Sequence, residues 1–342
     1  MVSTAPVFVV GVPRSGTTLL RRLLNAHPSL HLTFEASYFT LVRSLPSRVT
    51  ASAFRDAWVG SLPFAWQRVP THERSIAAPV GPPPRDPRWM TALMAYCARR
   101  QGKTRWGDKS PFHLYELGPI LHAFPDARVV HIVRDPVAVV RSQHTVPWAG
   151  INLLATAVSV RSALDAVEPF RDRICEVRLE DLLRDRAGEL KRILAFCALD
   201  WSDRVLDPER YAPRDEPPVP WLATGPRERA SLPARPAMLP VDAYRISRIT
   251  GQQRERYGYA PLPPVGRSAW GHLTRAVTDV RELCRVFLAL ARLRRVVYRW
   301  PRPAALEVFD AVNALYPEAV LACSPAERTQ LRSWLRSPDS LG

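Results

Sequence analysis

The chain has 342 residues, of which 46% are hydrophobic and 23% charged, and this is ordinary usage for a globular protein. Intrinsic disorder, collagen and a coiled coil are therefore poor descriptions of it. We find no window with the roughly 18 uninterrupted apolar residues that a membrane-spanning helix needs. The N-terminal residues carry no basic stretch ahead of an apolar one, so we expect no secretory signal.

The formal net charge of +16 suits three kinds of partner: nucleic acid, an acidic membrane surface, or a polyanionic small molecule. Only three of the 48 basic residues are lysine, and 34 prolines accompany them. Genome composition alone can produce such a bias, so the charge does not decide the function.

The five cysteines occupy positions 97, 175, 197, 284 and 323. They are odd in number, widely spaced and without a CxxC pair. This pattern favours reduced structural thiols in a cytoplasmic protein over a disulfide framework or a metal site.

Three units of strand, loop and helix follow one another along the chain. Strands alternating with helices predict an α/β fold with right-handed crossovers and a mostly parallel sheet, and ligands bind at the carboxyl ends of such strands. The predicted strands cover residues 6–10 (PVFVV), 127–133 (ARVVHIV) and 174–179 (ICEVRL), and the helices that follow them cover 17–25, 137–145 and 182–196.

Two long segments interrupt this pattern. We expect residues 41–100 to form a helical insertion over the carboxyl edge of the sheet, interrupted by the proline-rich run 80–87. We expect residues 201–239 to form an irregular surface loop, and long loops at the carboxyl edge of a sheet are often lids. The PLPP sequence at 261–264 separates an α/β domain, residues 1–260, from a helical C-terminal extension, residues 265–342.

The segment GVPRSGTT, residues 11–18, lies between a predicted strand and a helix, which is the context of a phosphate-binding loop. Its glycines have Walker spacing, but Thr17 stands where the Walker lysine would be, and the cation is Arg14. Backbone N–H groups at a helix N-terminus bind anions. We therefore predict that Arg14, Ser15, Gly16, Thr17 and Thr18 hold one terminal anionic group.

This loop resembles the 5′-phosphosulfate loop of sulfotransferases that use 3′-phosphoadenosine 5′-phosphosulfate (PAPS). A second stretch, VVHIVRDPVAVVRS at 129–142, resembles the family's 3′-phosphate-binding motif, with Arg134 at a strand end and Ser142 eight residues later. A guanidinium can bind a phosphate in a bidentate manner. Alone, Arg134 could equally form a strand-end salt bridge with Asp135. The resemblance implies a P-loop-like three-layer domain and PAPS as co-substrate.

Further stretches resemble the bacterial and tyrosylprotein branches of this family. They are AHP at 26–28 followed by Phe34-Glu35, which implies the catalytic base, WGDKSP at 106–111, and the segment 177–199. The resemblance covers roughly residues 6–260. Leu179 replaces a frequent aromatic residue, and the C-terminal glycine-rich motif of the cytosolic enzymes is absent, so adenosine recognition stays unassigned.

Sulfuryl transfer is an in-line displacement, which by analogy with phosphoryl transfer depends on positioning and electrostatic stabilisation. We expect Arg14 to neutralise the leaving 5′-phosphate and Lys109, in a predicted turn, to be the second cation. Glu35 is the candidate base, in an apolar stretch where desolvation would make it a stronger base. His31 is its competitor, and no metal is required.

Residues 281–300 contain six arginines and one glutamate among apolar residues. Such a helix either packs its apolar face on the domain or lies on an anionic membrane. The acceptor is expected to be a small molecule, carbohydrate or lipid head group rather than a protein tyrosine. The alternatives are a P-loop kinase or ATPase, which would need magnesium, a basic nucleic-acid-binding protein, and an inactive nucleotide-binding module.

Overall fold

The computed structural model describes residues 5–45, 48–78, 82–146, 153–213, 215 and 238–265. The predicted C-terminal extension after residue 265, including the basic segment 281–300, and most of the loop 201–239 lie outside these ranges. The described part of that loop contains a 3₁₀ turn at Asp203–Leu206 and a short helix at Pro208–Tyr211.

The described residues form a five-stranded sheet in which every pairing is parallel. The strands are β1 (Val7–Val10), β2 (Leu30–Phe34), β3 (Arg105–Lys109), β4 (Arg128–Val133) and β5 (Ile174–Arg178). Their order in the sheet is β2-β3-β1-β4-β5. Because the strands are parallel, all carboxyl ends meet at one edge of the sheet.

Helices cover both faces of the sheet, as the predicted three-layer α/β fold requires. The helices are α1 (Thr17–Asn25), α2 (Tyr38–Ser44), α3 (Ala51–Val59), α4 (Leu62–Ala65), α5 (Arg74–Ala77), α6 (Arg88–Arg100), α7 (Leu117–Ala123), α8 (Pro136–Gln143), α9 (Leu153–Val167), α10 (Leu179–Arg184), α11 (Arg186–Phe196), α12 (Pro208–Tyr211), α13 (Pro240–Ile249) and α14 (Gly251–Arg256). Successive side chains of a strand point to opposite faces. Accordingly, Phe8 and Val10 pack in one apolar cluster with α6, α8 and α9, whereas Val7 and Val9 pack in a second with α1 and α11.

The three predicted units of strand and helix are confirmed, with one correction. The predicted helix 182–196 is two helices, α10 and α11, because the chain turns at Asp185. The backbone there leaves the helical region (φ −130°, ψ 76°), and the Asp185 carboxylate caps the second helix by accepting a hydrogen bond from Gly188 N. A side chain of this kind satisfies an N–H that has no partner within the helix.

Strands β2 and β3 were not predicted, and the placement of Lys109 in a turn is wrong. Lys109 is the last residue of β3 and pairs in register with Phe34 of β2 and Val9 of β1. Helix α6, within the predicted helical insertion, packs against both β2 and β3. It thus belongs to the crossover that joins these two strands.

Of the five cysteines, the three in the described ranges, Cys97, Cys175 and Cys197, are buried and free. Among those same ranges, no helix combines the length and the apolar character needed to cross a bilayer.

Candidate active site

The phosphate loop begins directly after β1 and ends in helix α1. Gly16 is the N-cap of this helix and has φ 98°, a left-handed conformation that costs a residue with a Cβ roughly 1–2 kcal/mol. A Cβ at Gly16 would also lie 2.7 Å from Cδ1 of Leu179. As a glycine, Gly16 has no side chain that could cap α1. The first N–H groups of the helix have no intrahelical acceptor and lie at the positive end of its dipole, where they can donate to an anion.

The two predicted anion-binding motifs meet in the structure. Arg14 Nε donates a hydrogen bond to Oγ of Ser142, at 3.3 Å, and Arg134 Nη1 donates to the carbonyl oxygen of Arg14, at 3.2 Å. Gln143, next to Ser142 on α8, donates to the carbonyl oxygen of Pro13. Three predicted cofactor-binding side chains, Arg14, Arg134 and Ser142, thus lie together at the carboxyl ends of β1 and β4.

The carboxylate of Asp135 binds other partners than Arg134, with which a salt bridge was considered above. Asp135 caps helix α8 through Val137 N, at 3.0 Å, and its carboxylate pairs with the buried guanidinium of Arg254. The backbone N–H of Asp135 donates to Glu180, whose carboxylate also accepts from the hydroxyl of Tyr259. The residues after α13 thus fix the loop that carries Arg134.

Lys109 and Glu35 form an ion pair at the carboxyl ends of β2 and β3. The Lys109 Nζ lies 2.7 Å from Oε1 of Glu35 and 3.8 Å from the centre of the Phe34 ring. The Lys109 side chain has no solvent exposure, whereas Glu35 is 25% exposed. Lys109 is therefore not an ordinary solvated lysine. The pair presents a carboxylate to solvent beside a buried cation.

Glu35 lies in an unusual backbone turn that the side chain of Asp108 supports. Glu35 has φ 44° and Ser37 has φ 51°, and left-handed conformations of this kind each cost roughly 1–2 kcal/mol for residues with a Cβ. Asp108 Oδ1 accepts a hydrogen bond from Ala36 N at 3.0 Å. Burial opposes ionisation of Asp108, but the neighbouring His113 and the hydrogen bond from Ala36 N hold the pKa of Asp108 below its ordinary value.

The structure places His31, the competing base, in a different cluster. Its ring is 3% exposed on β2 and lies 3.9 Å from the carboxylate of Asp215, which also binds Arg21. Burial, together with the charge of Arg21, holds the pKa of His31 well below its usual value. The geometry therefore favours Glu35 over His31 as the group available to a substrate.

Two supporting residues escaped the sequence reasoning. Asp108 stands inside the WGDKSP segment, but only the pairing of β2 with β3 shows what it contacts. Arg254 belongs to no motif, and its partner Asp135 is 119 positions away in the chain, so sequence offered no signal for it. No group of three or more potential metal ligands occurs among the residues described here.

Comparison with known proteins identifies a family for this chain. The model of the Sulfotransferase family matches residues 6–203, which is more than half of the chain. Protein-tyrosine sulfotransferase 2 of Gallus gallus is 29% identical over 214 residues, which are 59% of this chain and 53% of that protein. The omega-hydroxy-beta-dihydromenaquinone-9 sulfotransferase of Mycobacterium bovis is 26% identical over 263 residues, a match that covers 63% of this chain and 66% of that protein.

The chain thus spans between about half and two thirds of the length of these two relatives. Among solved structures, the sulfotransferase domain of the Synechococcus PCC 7002 olefin synthase is 22% identical, with a TM-score of 0.48 over 76% of this chain and 98% of that one. On the family match over residues 6–203, the chain belongs to the sulfotransferase family.

Proposed function

We propose that this protein transfers a sulfuryl group from PAPS to a hydroxyl group of a small-molecule, carbohydrate or lipid acceptor. The proposal rests on the residues that meet at one edge of the sheet. Two anion-binding motifs joined through Arg14, Arg134 and Ser142 share this edge with the Glu35–Lys109 pair. Family membership supports the same reaction type.

The donor set at this edge fits a nucleotide with separate 5′ and 3′ phosphates. The uncapped N-terminus of α1 with Arg14, Ser15, Gly16, Thr17 and Thr18 would hold the 5′ end, because its N–H groups and hydroxyls donate to one anionic group. Arg134 and Ser142, in the second motif, would hold the 3′-phosphate. When bound, PAPS supplies the sulfuryl group and a phosphate leaving group.

The reaction requires a proton acceptor and cations at fixed positions. As the acceptor oxygen forms its bond to sulfur, the bond from sulfur to the bridging phosphate oxygen breaks, and the acceptor proton passes to the Glu35 carboxylate. Arg14 neutralises charge that develops on the 5′-phosphate. Lys109 stabilises charge on the transferring group from a site without solvent exposure, where electrostatic interactions are stronger than in water.

An aromatic pair next to the base in the chain supports an acceptor with an apolar part. The rings of Phe34 and Trp66 pack edge to face with centroids 5.5 Å apart, and Gln67 donates to the carbonyl oxygen of Phe34. The names of the two relatives above describe a tyrosine phenol and an omega-hydroxy lipid as acceptors. The hydroxyl is common to both, and we propose the lipid or small-molecule class for this chain.

The rival nucleoside-triphosphate kinase or ATPase fits the site less well. Such an enzyme holds magnesium with a carboxylate close to the phosphate loop. The acid that follows β4 is Asp135, and its carboxylate already caps α8 and pairs with Arg254. Thr17 in place of a Walker lysine weighs against the same alternative.

The proposal is tested by following labelled sulfuryl groups. PAPS labelled in the sulfuryl group is incubated with the protein in the presence of a metal chelator and one acceptor: a phenol, a sugar or a long-chain alcohol. We expect a labelled sulfate ester and 3′-phosphoadenosine 5′-phosphate (PAP), with the rate lost in Glu35→Gln. Transfer of phosphate from ATP that requires magnesium, without label transfer from PAPS, would restore the kinase hypothesis.

A further inference from the structure

We propose that Ser110 and Asp108 are positioning residues, which hold the backbone turn at residues 35–37 so that the Glu35 carboxylate meets Lys109. The inference rests on the proposed function, in which Glu35 accepts the proton of the attacking hydroxyl. Neither residue is proposed to touch the substrate. Both would act through the backbone that carries Glu35.

The backbone conformation of the turn is intrinsically unfavourable. Glu35 and Ser37 both have positive φ, at 44° and 51°, which only the surrounding structure can maintain in residues with a Cβ. Ser37 is the N-cap of α2, yet its side chain makes no capping hydrogen bond. Within the turn, the Ser37 hydroxyl donates to the carbonyl oxygen of Glu35 at 3.3 Å. The backbone N–H groups of residues 35–37, in contrast, find their acceptors outside the turn.

Three consecutive residues at the end of β3 supply those contacts. The carbonyl oxygen of Lys109 accepts from Glu35 N at 2.8 Å, Asp108 Oδ1 accepts from Ala36 N at 3.0 Å, and Ser110 Oγ accepts from Ser37 N at 3.0 Å. Every N–H of the turn thus has its own acceptor. From the same stretch, the Lys109 ammonium donates a hydrogen bond to the Glu35 carboxylate.

The side chain of Asp108 is itself held firmly. It has no solvent exposure, and its Oδ1 also accepts from the Thr33 hydroxyl at 2.9 Å. On its other side, Oδ2 lies 3.2 Å from Nδ1 of His113, which is equally buried. The anchor is therefore a buried network with little freedom to move.

Positioning of this kind should appear in the rate and not in donor affinity. A displacement of about 1 Å at a reacting group can cost about a hundredfold in rate. The proposed phosphate-binding groups lie elsewhere, in the loop before α1, on α1 itself, in the loop before α8 and on α8. Loss of the Ser110 acceptor should therefore lower kcat and leave the KM for PAPS unchanged.

The test compares Ser110→Ala with Ser110→Thr, which keeps the hydroxyl, and with Ser247→Ala. The last variant is a matched control, since Ser247 is a buried serine on α13 whose hydroxyl donates to the carbonyl oxygen of Tyr244. PAP release from PAPS with water as the acceptor gives kcat and KM. Amide hydrogen exchange at Ala36 and Ser37 reports on the turn directly and needs no acceptor.

We expect Ser110→Ala to lower kcat about tenfold, the effect of one hydrogen bond, with KM within about twofold and faster exchange at Ser37. Ser110→Thr should restore both the rate and the protection. The proposal would be overturned if Ser110→Ala left the exchange rate at Ser37 unchanged, or if its kcat were no lower than that of Ser247→Ala. A wild-type rate in Glu35→Gln would instead refute the proposed base, while the exchange data would still judge the turn.

Discussion

Replacing Lys109 by methionine separates the chemical role of this residue from its structural one. The change removes the ammonium that lies 2.7 Å from Glu35 and keeps a chain of similar length against the Phe34 ring. Loss of one preorganised electrostatic contact to a transition state costs about 2.7–4 kcal/mol. We therefore expect turnover to fall by about 10²–10³, with PAP affinity almost unchanged.

The cost in folding stability should be much smaller. Breaking a fully buried ion pair costs about 3–5 kcal/mol, because the remaining charge stays unpaired in the interior. Glu35 is 25% exposed and can be hydrated after the change, and methionine keeps a favourable contact with the aromatic ring. We expect the free energy of unfolding to fall by only about 1–2 kcal/mol.

Three measurements on Lys109→Met check this reasoning: PAP formation from PAPS, calorimetric titration with PAP, and urea-induced unfolding. Lys191→Met is the matched control, because Lys191 lies on α11, with its Nζ 5.2 Å from the centre of the Trp201 ring, and should affect none of them. Turnover of Lys109→Met within about threefold of wild type would refute the role given to this lysine. A drop in PAP affinity equal to the drop in rate would place Lys109 in donor binding instead.

Three further predictions concern the elements around the site. Gly16→Ala should weaken PAP binding about tenfold or more in calorimetry, because φ 98° and the 2.7 Å approach to Leu179 force the loop to move. Arg254→Met should lower the free energy of unfolding by about 1–2 kcal/mol in urea titrations, since Asp135 loses its ionic partner. Burial opposes ionisation of Glu176, but hydrogen bonds with His131 and Tyr257 outweigh the effect of burial and lower the pKa of Glu176 from 4.5 to about 2. Its stabilising effect should therefore be complete above pH 4.5 and be lost as the pH falls towards 2, by up to about 3 kcal/mol relative to Glu176→Gln in acid unfolding; a constant difference between the two proteins would contradict this.

The parts of the fold that sequence could predict are those with a local signal. Strand β1 is a run of apolar residues, helix α1 has leucines at helical spacing, and the glycines between them require a tight loop. The same holds for β4 and α8, where Asp135 and Pro136 mark the start of the helix. In each case the residues near one another in sequence decide the local structure.

Strand β3 lacks such a signal because its stability is tertiary. Its sequence RWGDK is polar, yet four of its five residues are buried. Asp108 and Lys109 are tolerated there only because β2, the turn after it, and His113 supply their partners. For the same reason the sequence predicted Glu35 and Lys109 separately but not their contact, and it gave no indication of Arg254 at all.

The two proposed anion sites are tested most directly by calorimetric titration of the protein with PAP and with ADP, without magnesium, in wild type and Arg134→Ala. We expect wild type to prefer PAP, because Arg134 and Ser142 bind a 3′-phosphate that ADP lacks, and Arg134→Ala to lose this preference. Equal or tighter binding of ADP, or binding that requires magnesium, would contradict the assignment of the two anion sites.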